Sequence, residues 1–512
     1  MYKIIKNIQA YSIFLACILL YCPSVLGEDM VLVPSAVNLD SELGGGALSP
    51  EEIIQKVRDA ELKVAIFADK DNNRVEYGIP PLRNLIKKTE ERESVNHYGA
   101  KRYIERIEAI ASNYPDMVIL PGTEAVPFYY WGGSISPRLI LKSFYKWGGS
   151  ISSGLILKNF HKNILVFGLE KAEDYENLPS VSNKKPLEFS INCFINFWPI
   201  FVIVLGLVVF SIRKSCRYHF LLTSHLSANT KIKMYIPFRY IGLGVIFTVV
   251  GFVFLVNNYP FLNPKFDQYH GDKGSSPYQE LIDYVNLKGG LTFWSSPDVG
   301  TANYKMGTVT FETAPYYHEL LNTKDYTGFA VFAEGMKHSG IPGGVWDQVL
   351  IEYINGERKK PVWAIGELDY EEGDWMGETQ TVFLLKKLTK EDVLAALRDG
   401  RMYSVIGNVK TPKPALERFQ IWDDSSQKWV EMGQTVNVKE ATKMRIKLSL
   451  PAGQNQTGEL KIIREGEVVK VINVTSSYED IIDFDYRKPN GKTYYRVDYN
   501  GTLISNPIFC SF

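Results

Sequence analysis

Cysteine, histidine and net charge are all in short supply. Five Cys in 512 residues exclude a disulfide scaffold. Cys17 and Cys22 fall in an N-terminal apolar leader, Cys193 in an apolar run and Cys216 in a basic stretch. Only Cys510 belongs to the remaining chain, so no disulfide is expected there. The seven His give no metal site by spacing, with His97, His270, His318 and His338 scattered along the chain. Lys+Arg 57 balances Asp+Glu 57, which argues against a nucleic-acid partner. A hydrophobic share of 45% and a charged share of 22% exclude a mostly disordered chain. At about 150 residues per unit, the length points to two to four folding units.

The leader reads as a signal peptide over 1–27. Lys3 and Lys6 form its basic end, Ile13 to Leu20 its apolar stretch, and Val25 and Gly27 a small-residue cleavage site. Two further apolar runs, 191–212 and 240–260, are long enough to cross a bilayer. Trp198 and Tyr259 stand at their ends as interface anchors. Between them, residues 213–239 hold Arg213, Lys214, Arg217, Lys231, Lys233 and Arg239 and no acid. The bias of basic loops toward the cytoplasm places this segment inside and both flanking regions outside. That agrees with the signal peptide and predicts a membrane protein with most of its chain exported.

Strand and helix patterns alternate over 31–183 and again over 263–407. Val31–Leu39, Val64–Phe67, Met117–Leu120, Asn163–Gly168, Leu291–Trp294, Phe329–Phe332 and Val362–Ile365 read as strands. Ser49-Pro50-Glu51-Glu52 reads as a helix start with a capping box. The pattern predicts an α/β fold, a barrel-like domain interrupted by a transmembrane helical hairpin. Residues 415–512 switch to short strands with Asn490-Gly491 and Asn500-Gly501 turns, which predicts a small antiparallel β-sandwich. Trp131–Lys146 and Trp147–Lys162 form a tandem repeat with twelve of sixteen positions identical. Two short copies do not make a solenoid. The repeat is either a tolerated loop insertion or an enlarged lid over a site.

Polar residues gather where the expected strands end: Asn38 and Asp40, Asp69 and Lys70, Glu124, Asn163, Ser296, and Asp369 with Glu371. In barrel folds these ends surround the active site. Phe128-Tyr129-Tyr130-Trp131 follows Glu124, and an exposed cluster there would stack on a sugar or base.

Over roughly 33–181 and 263–407 the sequence resembles the PHP (polymerase and histidinol phosphatase) superfamily of metal-dependent phosphoesterases. The resemblance lies in Asp40-Ser41 with Leu48 to Glu52, Phe67 to Lys70, Pro121 to Glu124, Gly289 to Pro297, Gly366 to Glu371 and Gly400 to Tyr403. It implies a distorted (β/α)7 TIM-like barrel with a di- or trinuclear metal centre. The family's opening His-x-His is Asn38-Leu39-Asp40 here, its Asp-His is Asp69-Lys70, and its barrel His is Asn163. Its His-Pro is Ser296-Pro297, and its closing Asp-x-His is Asp369-Tyr370-Glu371. Asp69, Glu124 and Asp369 keep the family's residue type, and every aligned His is replaced.

Without imidazole, a zinc site of the usual kind is not expected. Two readings remain. In one, Lys70 supplies the positive charge a metal would bring, and no cofactor is bound. In the other, Asp40, Glu124, Asp369, Glu371, Asn38 and Asn163 offer oxygen ligands to Mg or Mn, and Lys70 contacts substrate phosphate. His161 lies two residues before Asn163, which on one strand keeps the same face but displaces it by about 7 Å. Asp69, Ser296 and His161 are expected to line the pocket.

The expectation is therefore a membrane-anchored, outward-facing PHP-like domain that has lost its phosphoesterase chemistry. It would act as a binding, sensing or scaffolding module for a protein partner or a small phosphorylated or sugar ligand. The alternative is an active metal-dependent phosphoesterase. Setting aside the leader and the 213–239 loop leaves 49 basic and 57 acidic residues, so the exported body carries a net charge of −8.

Overall fold

The structure is a computed structural model. It describes residues 30–132, 155–183, 187–210, 239–306, 309–370, 372–408, 413–439, 441–451, 457–486 and 491–512. The expected signal peptide, most of the basic 213–239 loop, the middle of the tandem repeat and Glu371 lie outside the described residues.

Short apolar runs between caps and turns become strands. β1 (Val31–Leu39) leads through α1 (Pro50–Asp59) to β2 (Val64–Phe67) and β3 (Asp69–Lys70). At the start of α1, Ser49 Oγ accepts the Glu52 N–H, and Glu52 accepts the Ser49 N–H at 2.9 Å, the capping box read from sequence. Ile53, Ile54 and Val57 form the buried stripe of α1. A hairpin, β4 (Arg74–Gly78) with β5 (Lys87–Glu91), precedes α2 (Ala100–Ser112), β6 (Val118–Leu120) and β7 (Gly122–Ala125). β8 (Tyr130–Gly132) pairs with β9 (Ile156–Lys158), and β10 (Ile164–Phe167) follows. Thus Trp131 and Gly132, which open the tandem repeat, pair with Ile156 and Leu157 near its end.

β11 (Leu187–Glu188) and β12 (Asn263–Pro264) pair at the foot of two apolar helices. Beyond them come α3 (Ser276–Leu287), β13 (Leu291–Trp294) and the hairpin β14 (Ala302–Met306) with β15 (Val309–Thr313). β16 (Gly328–Phe332), α4 (Val345–Ile354), β17 (Trp363–Gly366), β18 (Thr379–Leu385), α5 (Lys390–Asp399) and β19 (Met402–Ile406) complete this region.

The result is a mixed α/β fold, but the described strands do not close into the expected barrel. They divide between an 11-stranded sheet containing β19-β18-β1-β2-β6 and a six-stranded sheet in the order β17-β16-β13-β10-β7-β3. Pro121 stands between β6 and β7 and has no N–H to continue the ladder. β10 runs antiparallel to both neighbours, β7 and β13, which breaks the parallel order a (β/α) barrel needs. β18 flanks β1 antiparallel and leads the sheet away. The two sheets still meet beyond β17, where the Leu368 N–H donates to Val37 O at 2.7 Å and Leu39 bridges Tyr370.

The C-terminal strands are β20 (Ala415–Asp423), β21 (Lys428–Val430), β22 (Thr435–Asn437), β23 (Thr442–Ser449), β24 (Gly458–Arg464), β25 (Glu467–Val474), β26 (Tyr478–Phe484), β27 (Lys492–Tyr499), β28 (Leu503–Ser505) and β29 (Ile508–Ser511). One layer is the four-stranded sheet β21-β20-β23-β26. The other layer belongs to the 11-stranded sheet, because β28 pairs with β19 through Tyr403↔Ser505. Phe419, Ile421, Met444 and Ile446 form one buried core with Tyr495 and Val497, and with Val382 and Val405 of β18 and β19. The 11-stranded sheet is therefore shared between β18–β19 and the C-terminal strands.

The helices Ile191–Phe210 and Arg239–Asn258 are long and apolar enough to cross a membrane. Phe201 is 76% exposed and Phe252 60%, unlike the side chains of a core helix. They pack through small residues: a Cβ on Gly251 would lie 2.9 Å from the Pro199 carbonyl oxygen.

Candidate functional site

Two adjoining groups of side chains form at the ends of β1, β3, β7 and β17. The first is centred on Glu367, one residue past β17. It is fully buried and receives Asn38 Nδ2 at 3.3 Å, Ser295 Oγ at 2.9 Å and the Ser296 N–H at 2.8 Å, with the Ser296 hydroxyl donating as well. Burial, then the neighbouring Asp369 charge, pushes its pKa up to about 8. Asn38 (φ 68°), Ser296 (φ 39°) and Asp369 (φ 46°) all have left-handed backbone. Such non-glycine positions are uncommon and concentrate at functional sites.

The second group is centred on Asp69 and Asp40. The Ser41 N–H and hydroxyl donate to Asp69 Oδ1 at 2.6 and 2.8 Å. Asp69 Oδ2, Asp40 Oδ1 and Asn163 Oδ1 are buried without a hydrogen-bond donor. Gly44 covers Asp40 so closely that a Cβ there would stand 2.2 Å from Asp40 Oδ1. Burial, then the Asp69 charge, pushes the Asp40 pKa up to about 8, and burial raises Asp69 as well. Asp71, at the next turn, is pushed up to about 7 by burial, although it accepts the Asn72 N–H at 2.6 Å. Asp40 and Asp71 are held partly protonated near neutral pH.

Lys70 stands among them. It pairs in register with Glu124 across β3 and β7. Burial alone would lower its pKa, but Glu124, Asp40 and Asp369 together raise it above the ordinary lysine value. Among the described residues no carboxylate forms a close ion pair with it, so the ammonium is held by the summed field and faces a cavity.

That cavity has a volume of about 430 Å3. Asp40 and Lys70 line its inner part, and Lys88, Glu90, Arg92 and His161 add further polar groups. Its apolar wall comes from three hairpins: Val75 and Tyr77 of β4, Trp131 of β8 with Phe160 after β9, and Tyr304 and Phe311 of β14 and β15. Tyr304 and Phe311 stack with centroids 5.1 Å apart, and Tyr77 meets Trp131 edge-on at 5.1 Å. His161 hydrogen-bonds Tyr304, and burial, then Lys70, pushes its pKa down to about 4, so the ring is neutral. A larger cavity of about 880 Å3, lined by Gly290, Leu291, Pro361 and Trp363, lies at the opposite, N-terminal ends of the strands. In strand–helix folds ligands bind at the C-terminal ends, which favours the smaller cavity.

The expected residues thus separate. Asn38 and Ser296 converge on Glu367, a residue the sequence reading passed over in favour of Asp369-Tyr370-Glu371. The signal was present, since Glu367 and Asp369 are two acids at alternate positions after a buried strand. Asp69, Asp40, Lys70 and Glu124 form the neighbouring group. Asn163 contributes its main-chain carbonyl to the Ser295 N–H at 3.2 Å. His161 occupies the turn after β9 and Asn163 stands just before β10, so the strand spacing expected for the two does not apply. The aromatic run after Glu124 is not an exposed platform. Phe128, Tyr129 and Trp131 are at most 7% exposed: Phe128 packs in the main core, and Tyr129 and Trp131 pack in the cluster that backs the cavity wall. Tyr304, Arg92 and Asp71 had no local sequence signal.

The donors do not fit the metal centre that the resemblance implies. Among the described residues no three His, Cys, Asp or Glu are grouped to hold a metal ion. Lys70 places its own charge among the carboxyls Glu124, Asp40 and Asp369.

No family model matches the chain, and no curated protein is similar to it. Among solved structures it is similar to a two-domain protein from Bacteroides vulgatus described as containing a predicted PHP-like metal-dependent phosphoesterase. That likeness has 9% identity, covers 94% of this chain and 96% of the other, and has a TM-score of 0.33.

Proposed function

We propose that this chain is a membrane-anchored, outward-facing PHP-like domain that binds a small phosphorylated ligand and has lost metal-dependent phosphoesterase chemistry. The seven strand segments β1, β2–β3, β6–β7, β10, β13, β16 and β17 are read as a barrel split at Ala68 and Pro121. Support for that reading is the hydrogen bond from Leu368 back to Val37. Two exposed apolar helices support the anchoring.

The observation that carries the functional reading is Lys70, a cation among Asp40, Glu124 and Asp369 at the strand ends. Around it the cavity presents Lys70 and Arg92, with Lys88 paired to Glu90 at 2.7 Å, and the pKa of Asp40 is pushed up to about 8. A phosphate would meet a positive field there, and the aromatic wall would take an apolar or ring portion.

The test uses the full chain in detergent or nanodiscs. Metal content is measured, hydrolysis of a generic phosphodiester is assayed, and thermal shift is read with inorganic phosphate, sugar phosphates and nucleoside monophosphates. Binding of a phosphorylated compound, weakened at least about ten-fold in Lys70→Met, supports the proposal. Stoichiometric Mn or Mg with turnover lost in Asp369→Ala overturns it in favour of an enzyme.

A further inference from the structure

One apolar surface of the folded body stands level with the ends of the two apolar helices. The loop between β4 and β5 exposes Leu85 (46%) and Ile86 (39%). Asn84 fixes this loop to the end of the second helix: its N–H donates to Asn257 Oδ1 at 3.1 Å, and its Nδ2 donates to Asn257 O at 2.7 Å. Beside it, Phe189 is 75% exposed and Tyr259 71%.

The same level is marked independently by a collar of amides. Asn258 Nδ2 donates to Asn196 O at 2.9 Å, and Asn196 Nδ2 donates to Asn263 Oδ1 at 2.9 Å. At the collar Phe197 stacks on Phe261 at 4.7 Å, and just inside it Trp198 meets Phe254 at 4.9 Å. Polar amides followed by aromatics and then aliphatics are the order of groups expected across a membrane interface. Leu85 and Ile86 hang from the collar.

From this geometry we infer that the β4–β5 loop is a membrane-contact surface, with Leu85 and Ile86 seated in the headgroup region of the bilayer the helices cross. The inference rests on the membrane reading above. Arg83 and Lys87 flank the apolar pair and tie it to the body, Arg83 over the Tyr269 ring at 3.9 Å and Lys87 on Glu76 at 2.8 Å, which leaves Leu85 and Ile86 as the lipid-facing tip. The consequence reaches the candidate site. Val75, Tyr77, Lys88 and Glu90 face the 430 Å3 cavity from one side of this hairpin. Glu76 and Lys87 face the pocket at the helix feet from the other. A loop seated in the headgroups therefore holds one wall of the cavity close to the membrane surface.

The experiment uses the full chain in phosphatidylcholine–phosphatidylglycerol nanodiscs. Leu85→Cys, Ile86→Cys, Val249→Cys and Val468→Cys are each labelled with an environment-sensitive fluorophore, and the parent chain treated identically is the blank. Quenching is read with lipids brominated near the headgroup or deep in the chain. Expected is deep-lipid quenching at 249, roughly two-fold headgroup-level quenching at 85 and 86, and none at 468 in the C-terminal sheet. Quenching at 249 without quenching at 85 or 86 overturns the contact surface and leaves the membrane reading standing. No quenching at 249 overturns both. Equal quenching at 468 and 85 overturns the contact surface as non-specific. Thermal melts of the labelled chains establish that each variant is folded.

Discussion

Asp347 and Asp40 are both buried carboxyls, yet their surroundings are opposite. Asp347, on α4, is 1% exposed and fully satisfied. Arg496 of β27 donates to it through Nε at 2.8 Å and Nη2 at 2.6 Å, Tyr494 donates at 2.8 Å, and the Gly343 N–H donates at 2.8 Å. Arg496 lies 4.8 Å over the Trp346 ring, and only its Nη1 lacks a partner. This pair locks the C-terminal layer to α4. Asp40 has no donor on Oδ1, a second carboxyl beside it and a lysine held only by the surrounding field. The first site is finished as structure. The second is a carboxyl pair that shares a hydrogen bond and has no cation bound directly to it, an arrangement that costs stability and is concentrated at functional sites.

The largest test of this contrast is Asp347→Ala. It leaves a fully buried guanidinium without its counter-ion and should cost about 3–5 kcal/mol. A thermal melt of the full chain should fall by about 5 °C. Replacing both partners, Asp347→Leu with Arg496→Met, should recover most of that loss, because a buried pair exchanged for packed apolar groups is close to neutral.

Next in size is the response to pH. The folded values near 8 for Asp40 and Glu367 lie above the ordinary 3.8 and 4.5, so the folded state keeps protons that the unfolded chain has released. Stability from these groups is present in full below about pH 4 and is lost as pH rises through 8. The effect should be on the order of a few kcal/mol between pH 5 and 9, read as a falling melting temperature. The double variant Asp40→Asn with Glu367→Gln should flatten that slope, and an unchanged slope would remove these carboxyls as its source.

Asp40→Asn by itself should be neutral or stabilising by about 1 kcal/mol at pH 8, the reverse of the change at Asp347. A large loss of stability would mean that Asp40 is a structural carboxylate like Asp347. The smallest effect is expected at Leu85→Ser, which should shift the melt of the detergent-solubilised chain by less than about 0.5 kcal/mol.

Local pattern made much of the first region legible. Val31–Leu39, Val64–Phe67 and Leu291–Trp294 are strands with the bounds the hydrophobic runs gave. Ser49 caps the helix it was expected to open. The Asn500-Gly501 turn has the positive φ at both residues, 53° and 66°, that its composition favours. The hairpins β4–β5, β8–β9 and β14–β15 escaped because their strands are only half-buried and their pairing is fixed by the cavity they wall. Glu367 escaped because its partners Asn38 and Ser296 are 329 and 71 residues away.

What the sequence determined by itself is everything encoded within a few residues: caps, turns, buried strands and two apolar helices, because each depends on periodicity and side-chain chemistry along one short segment. The tertiary structure alone decided which strands share a sheet, where the ladder breaks, and which carboxyls meet. Those outcomes depend on pairings between distant segments, where the choice of partner is made by the packing of the whole and no single window of sequence contains both sides of the contact.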